Sequence, residues 1–173
     1  MDTLSRDKYT RLRINEIRLI KILPASSSDA PIRATLISVD LETAPDYRAL
    51  SYIWGPEPRG QYSIICDGES IPIRENVSNA LHALRYYEEP FAILHQERSG
   101  PQCFWIDELC IDQTNIQEKA EQISKMPQIF LRATQTVLVR KIKFLEFVNC
   151  CLILPLCDAP KMYKKTVLFY ILI

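Results

Sequence analysis

The segment that most constrains the fold lies near the middle of the chain, at residues 103–118, CFWIDELCIDQTNIQE. Residues 103–106 form a short apolar run, which is typical of a buried strand. Three carboxylates follow it, at Asp107, Glu108 and Asp112. Asn115 and Glu118 then have the spacing of a capping box, as do Thr114 and Gln117, so a helix is predicted to start at Thr114 or Asn115. A strand that leads into a helix is the repeating unit of α/β proteins, so we expect an α/β domain.

The residues before this segment predict a β-rich N-terminal part. Apolar runs at 17–23, 32–39 and 47–54 are separated by segments rich in Pro, Ser and Gly. Asp67 and Gly68 lie between two further apolar runs. They predict a β-hairpin, because both residue types tolerate the positive φ angles of a tight turn.

A first helix is predicted between the hairpin and the central segment. Asn76 has the character of its N-cap, and the helix should end near Tyr87, before Pro90. Its buried face is expected at Val77, Ala80, Leu81 and Leu84, which have helical spacing.

A second helix is predicted after the central segment. Its inner face is expected at Ile116, Ala120, Ile123 and Met126. Pro127 should kink or end this helix, because proline lacks a backbone donor. A last strand is expected at 135–140. The chain is therefore predicted to be β-rich at its N-terminus and then β-α-β-α-β, with a mostly parallel sheet.

Composition limits the function classes. The chain has 173 residues, of which 47% are hydrophobic, enough for one globular domain. Its formal net charge is zero, so nucleic acid is not an expected partner. The N-terminus has no apolar signal segment, which points to the cytoplasm and to reduced cysteine thiols. No Cys-x-x-Cys pair is present, so we expect no metal site.

Four segments together carry a family resemblance. They are YRALSYIWG (47–55), IPIRENVSNALHALR (71–85), FWIDELCIDQTNIQEKAEQISKM (104–126) and IFLRATQTVLV (129–139). In this order they resemble the heterokaryon incompatibility (HET) domain of filamentous fungi. The resemblance implies a domain core at 47–140, preceded by N-terminal strands and a linker at 1–46 and followed by an atypical apolar tail at 141–173. The positions that match the family motifs are Tyr52, Trp54, Gly55, Asn76, Arg85, Trp105, Asp107, Cys110, Gln113, Glu118 and Gln122.

The apolar tail departs from the family pattern. Residues 144–157 and 167–173 are apolar without helical or strand periodicity, and neither run reaches the ~20 residues of a membrane span. We therefore expect no membrane span. One hypothesis is a truncated or misread family member, with a tail that comes from a retained intron or a frameshift. The alternative is a C-terminal strand.

The resemblance also implies a function. Proteins with this domain act in nonself recognition and trigger programmed death of the mixed cell when genetically different fungal cells fuse. Protein partners or self-association are then expected. The family fold has been likened to Toll/interleukin-1 receptor domains, some of which hydrolyse NAD. Two functional hypotheses therefore remain: the chain is a signalling and interaction module, or it is an NAD-hydrolysing enzyme.

The carboxylates are the candidate catalytic residues of the enzyme reading. Asp107 and Glu108 follow the strand end, where ligand sites of α/β sheets collect, and a carboxylate there would orient a ribose hydroxyl. Asp107 could instead cap the following turn, and Cys110 could be a nucleophile or a small buried core residue. No glycine-rich phosphate loop is present, since the chain has four glycines. We expect no bound cofactor, and NAD would enter only as a substrate.

Overall fold

The computed structural model describes residues 9–25, 27, 30–58, 60–82, 84, 102–142 and 166–172. Its strands are β1 (Glu16–Ile22), β2 (Arg33–Asp40), β3 (Arg48–Tyr52), β4 (Ser63–Cys66), β5 (Glu69–Pro72), β6 (Gln102–Trp105), β7 (Gln135–Ile142) and β8 (Thr166–Leu172). Its helices are α1 (residues 75–82 and 84), α2 (Asp107–Cys110) and α3 (Ile116–Arg132). The α/β class is thereby confirmed.

All the described strands belong to one sheet, in the order β5-β4-β2-β1-β6-β3-β7-β8. The half that contains β6, β3, β7 and β8 is parallel. In the other half, β1 runs antiparallel to both β2 and β6, β5 runs antiparallel to β4, and β2 and β4 are parallel. The sheet is therefore mixed, and a mostly parallel sheet is not confirmed. Short connections after β1 and β4 favour the antiparallel β1–β2 and β4–β5 pairs, because a parallel neighbour needs a longer crossover.

The N-terminal strands are part of the sheet that carries the candidate site. β1 lies between β2 and β6, and its side chains Ile17, Leu19 and Ile20 are fully buried. The predicted hairpin is present as β4–β5, and both of its turn residues have positive φ, 52° at Asp67 and 89° at Gly68. Residues 1–46 thus contribute strands to the same core as the segment that follows.

Helix α1 shows the predicted apolar face. Val77, Ala80, Leu81 and Leu84 are all at most 2% exposed. The predicted N-cap is displaced, because Asn76 already lies within the helix and Ser78 N–H donates to the carbonyl of Arg74. The Asn76 side chain donates instead to the Ile53 carbonyl, at 2.6 Å. Arg85 and the predicted helix end at Tyr87 lie outside the described residues.

Helix α3 starts as predicted but continues further than predicted. It continues through Pro127 to Arg132, because its last turn is anchored: Ile129 is fully buried, and its carbonyl accepts from the Tyr47 hydroxyl at 2.6 Å. Its start is as predicted, since the Asn115 side chain accepts from Glu118 N–H.

The inner face of α3 is polar in its first half, at Glu118 and Gln122, and apolar in its second half. Its buried residues are Glu118, Gln122 and Ile129, with Met126 partly buried. Ile116, Ala120 and Ile123, which periodicity assigned to this face, are exposed. The reason is that Glu118 meets a buried arginine of β1, Arg18, so the polar side of the helix turns inward.

At the C-terminal end, β8 pairs in parallel with β7 at one edge of the sheet. Residues 166–172 of the tail thus form a strand at the edge of the sheet, and both explanations of the tail stay hypotheses. The apolar run at 144–157 lies outside the described residues.

Candidate functional site

The candidate site lies where two neighbouring parallel strands end. β3 and β6 pair in parallel, with Ala49 opposite Trp105. Their carboxyl ends therefore meet at the same edge of the sheet, where open α/β sheets collect functional side chains. β3 leads into Tyr52 and Trp54, and β6 leads through Ile106 into the short helix α2, which begins at Asp107.

The Asp107 side chain ties these two strand ends together. Its Oδ1 accepts from the Tyr52 hydroxyl at 2.9 Å, and its Oδ2 accepts from the Trp54 indole N–H at 2.6 Å. Glu108 N–H also donates to Oδ1, at 2.7 Å, and the Gln113 side chain donates to the Asp107 carbonyl at 2.9 Å. The N-cap position of α2 is Ile106, and Asp107 is the first helical residue. The Asp107 carboxylate thus both accepts from a backbone N–H of the following turn and joins β3 to α2.

Glu108 is the second buried carboxylate of the site. Its Oε1 accepts from the backbone N–H of Arg74 at 3.0 Å. Its Oε2 lies 3.2 Å from the Tyr52 hydroxyl and 3.3 Å from Arg74 Nη1. Both side chains of this ion pair are only 7% exposed. We call Tyr52, Trp54, Arg74, Asp107 and Glu108 the carboxylate cluster.

The charges of the cluster fix the protonation of its donors. Burial, followed by the negative charges of Asp107 and Glu108, holds the pKa of Tyr52 far above its ordinary value. The Tyr52 hydroxyl therefore stays protonated and remains a donor. Burial alone would lower the pKa of Arg74, but the carboxylates of Glu108 and Glu57 outweigh it, and the net pKa is raised.

Arg74 is the member of the cluster that sequence reasoning missed. Its guanidinium lies over the Trp54 ring, 4.4 Å from the ring centroid, and Lys119 Nζ lies 5.8 Å from the same centroid. Arg74 Nη2 also contacts Glu57, at 2.6 Å. No local pattern marks such a residue, because its partner Glu108 is far away along the chain. The only sequence signal for Arg74 is a charged residue in the short segment between the β4–β5 hairpin and α1.

Gly55 and Asn76 position the chain that follows β3. Gly55 has a φ of +74°, and a Cβ atom on it would lie 3.0 Å from Asn76 Nδ2. That amide group already holds the Ile53 carbonyl. Glycine is thus required at this position both for the backbone conformation and for the close approach of α1.

Cys110 belongs to the core. It is fully buried, and burial raises the pKa of its thiol to about 12. Its Sγ accepts from Ile106 N–H at 3.4 Å and lies 3.8 Å from the Phe104 carbonyl. A thiol with this pKa stays protonated near neutral pH and is a poor nucleophile, which favours the core reading.

Comparison with known proteins identifies the family once this geometry is in place. The family model for heterokaryon incompatibility proteins matches residues 47–143, which is more than half of the chain. The chain belongs to this family. Among curated HET-family relatives, it is 33% identical to heterokaryon incompatibility protein 6, OR allele, of Neurospora crassa over 127 residues, which cover 70% of this chain and 18% of that protein.

A second relative in the HET family is vegetative incompatibility protein HET-E-1 of Podospora anserina. The two are 34% identical over 83 residues, which cover 47% of this chain and 5% of that protein. The chain thus spans less than a fifth of either relative. No solved structure matches this chain.

The structure divides the HET-motif positions into three groups. Tyr52, Trp54, Gly55, Asn76, Asp107 and Gln113 lie in or against the carboxylate cluster. Trp105 and Cys110 are buried in the core beneath it. Glu118 and Gln122 form a second polar network on the inner face of α3, and Arg85 lies outside the described residues. The catalytic role assigned to Asp107 and Glu108 stays a prediction.

The second polar network supports the turn that carries the site. Arg18 is 1% exposed and pairs with both oxygens of Glu118, at 2.5 and 3.0 Å. Arg18 also donates to the Cys110 carbonyl, and Glu118 accepts from Asp112 N–H at 2.9 Å. Gln122 donates to the carbonyl of Glu16 at 3.0 Å. The end of α2 is thereby fastened to β1 and α3.

Within the residues that the structure describes, no group of three or more His, Cys, Asp or Glu could hold a metal ion. None of the helices in that part is long and apolar enough to cross a membrane.

Proposed function

We propose that this chain acts in fungal nonself recognition, as a cytoplasmic signalling and interaction module that triggers programmed cell death in mixed cells. Family membership over residues 47–143 supports this role. The names of both relatives refer to incompatibility, one heterokaryon and one vegetative. Both relatives are much longer than the segment that matches this chain. What the whole relatives respond to and bind is therefore assigned to this chain only as a proposal.

The observation that carries the interaction role is an apolar stripe on the outer face of α3. The stripe consists of Ile116, Ala120, Ile123, Pro127 and Leu131. Ile116 is 85% exposed, Ile123 49% and Leu131 76%. Apolar residues on the outer face of a helix whose inner face is partly polar mark a surface that another protein covers.

The occupant that fits this stripe is a second copy of the chain. Successive members from Ile116 to Pro127 are separated by four, three and four positions, the alternation that lets two like helices pack along a seam. The exposed residues directly beside the seam, Gln117 and Ser124, are uncharged, so two copies would approach without like-charge repulsion along this flank. A two-fold axis would place the same stripe on both partners.

Self-association is tested with a charge on the stripe and the same charge beside it. We expect the wild-type chain to form dimers and Ile123→Glu to be monomeric in sedimentation analysis, because a carboxylate cannot be buried unpaired in an apolar seam. Gln128→Glu, on the same helix but off the stripe, should dimerise like the wild type. Identical association of the two variants would contradict the assignment of this surface.

The function itself is tested by expression in a filamentous fungus. We expect the full chain to reduce viability, whereas an unfolded variant should not. Unchanged viability at an expression level confirmed by immunoblot would contradict a death-triggering role.

A second candidate function is NAD hydrolysis. It is favoured by two carboxylates, Asp107 and Glu108, that follow the carboxyl end of β6 beside the parallel strand β3, and by two cations, Arg74 and Lys119, that lie near the Trp54 ring. The likeness of the family fold to Toll/interleukin-1 receptor domains, some of which hydrolyse NAD, is a second argument for this candidate function. Against it, every oxygen of both carboxylates already accepts from a protein donor.

An NAD assay with purified protein separates the two candidates. We expect no loss of NAD, because carboxylates saturated with protein donors are poorly placed to act on a substrate. NAD loss by the wild type that Asp107→Asn and Glu108→Gln each abolish, with both variants folded by circular dichroism, would establish the enzyme instead.

A further inference from the structure

Arg74 presents an incompletely used binding edge. The side chain is only 7% exposed, and Nη1 is committed to the buried Glu108. Nη2 meets one oxygen of Glu57, and among the described residues Nε has no hydrogen-bond partner. Nε and Nη2 together form the side edge of the guanidinium, which can hold both oxygens of one carboxylate or phosphate. Glu57 therefore fills only half of this edge.

The Glu57 carboxylate can be displaced from Arg74 by another anion. Its side chain is 85% exposed, although the arginine it contacts is buried. An ion pair with one member in solvent contributes little to stability, so the Glu57 carboxylate can leave at small cost. It lies in the loop between Gly55 and Gly60, which have φ angles of 74° and 76°. The place it occupies borders solvent and is reachable by a ligand.

The surroundings of this edge suit an anion. A second cation, Lys119, also lies near the Trp54 ring, with its Nζ 5.8 Å from the ring centroid. The negative charges nearest to Arg74 are compensated by fixed donors. Asp107 accepts hydrogen bonds from the Tyr52 hydroxyl and the Trp54 indole N–H. Glu108 accepts one from the backbone N–H of Arg74.

We propose that Arg74 is the centre of an oxyanion-binding site and that Glu57 occupies it in the unliganded chain. The ligand group is a carboxylate or a phosphate, bound by Nε and Nη2 in place of Glu57. Binding releases Glu57 from Arg74. The site shares Arg74 with the carboxylate cluster, but binding of the anion requires neither self-association through the stripe on α3 nor a chemical step at Asp107.

The test uses the full chain and the fluorescence of Trp54, whose ring lies against Arg74; the other tryptophan, Trp105, is buried. Inorganic phosphate and acetate are titrated separately at constant ionic strength, with chloride as the balancing anion. If Glu57 fills the site about nine-tenths of the time, Glu57→Gln should bind about tenfold more tightly than the wild type. Glu69→Gln, which removes an exposed carboxylate on β5, is the matched control and should bind like the wild type.

Arg74→Lys keeps the positive charge but lacks the two-pronged edge, and it should lose the tight binding of Glu57→Gln when the two are combined. Thermal unfolding of each variant checks that it is folded. Saturation by both anions identifies a general oxyanion site, and saturation by phosphate alone identifies a phosphate ligand. No saturable change in Glu57→Gln with either anion overturns the proposal, as does equal binding in the folded Arg74→Lys combination. Neither result bears on the death-triggering role, which is measured in cells.

Discussion

At the scale of single residues, several positions that match the HET motifs contact one another around Asp107 and do not form separate sites. Asp107 is indicated by the sequence because it follows an apolar run and has the residue type that strand ends favour. Arg74 could not be found in this way, because its importance comes from Glu108, 34 positions away. Local pattern thus indicates which residues are polar at a strand end, but it does not indicate which charges meet there.

Gly55 gives the residue-scale prediction. Gly55→Ala should lower the free energy of unfolding by about 1–3 kcal/mol, because it places a Cβ at positive φ and against the Asn76 amide. Gly60 has nearly the same φ, and a Cβ atom on it would meet nothing within 4 Å. Denaturant unfolding of Gly60→Ala therefore measures the backbone cost alone, and we expect it to be the smaller effect. Equal losses would show that the contact with Asn76 is unimportant.

At the scale of elements, α1 and α3 show when periodicity succeeds. The apolar face of α1 is buried as predicted, because an ordinary amphipathic helix turns that face to the core. In α3 the same rule selects the wrong face. Glu118 and Gln122 are buried against β1, and this contact between distant segments decides the orientation of the helix. Sequence reasoning had no means of pairing Arg18 with Glu118.

The buried Arg18–Glu118 pair gives the element-scale prediction. Glu118→Gln leaves the Arg18 charge buried without its partner, so it should cost about 3–5 kcal/mol of unfolding free energy. The double variant Arg18→Met, Glu118→Met removes both charges and should be more stable than Glu118→Gln alone. Denaturant unfolding measures both. A Glu118→Gln chain within about 1 kcal/mol of the wild type would mean that the pair does not hold α3 in place.

At the scale of the whole molecule, the α/β class follows from the strand-to-helix segment, but the strand order does not. β1 enters the middle of the sheet beside β6, a pairing between segments more than 80 positions apart. Nothing in the local apolar runs specifies this neighbour, which is why a mostly parallel sheet was expected. The same arrangement turns the apolar side of α3 outward and leaves the molecule with an exposed stripe.

We propose that self-association through this stripe, rather than chemistry at the carboxylates, triggers cell death. Viability is measured in a filamentous fungus that expresses Ile123→Glu or Gln128→Glu at matched levels. We expect Gln128→Glu to kill like the wild type and Ile123→Glu, although folded, not to kill. Equal killing by both variants would contradict it.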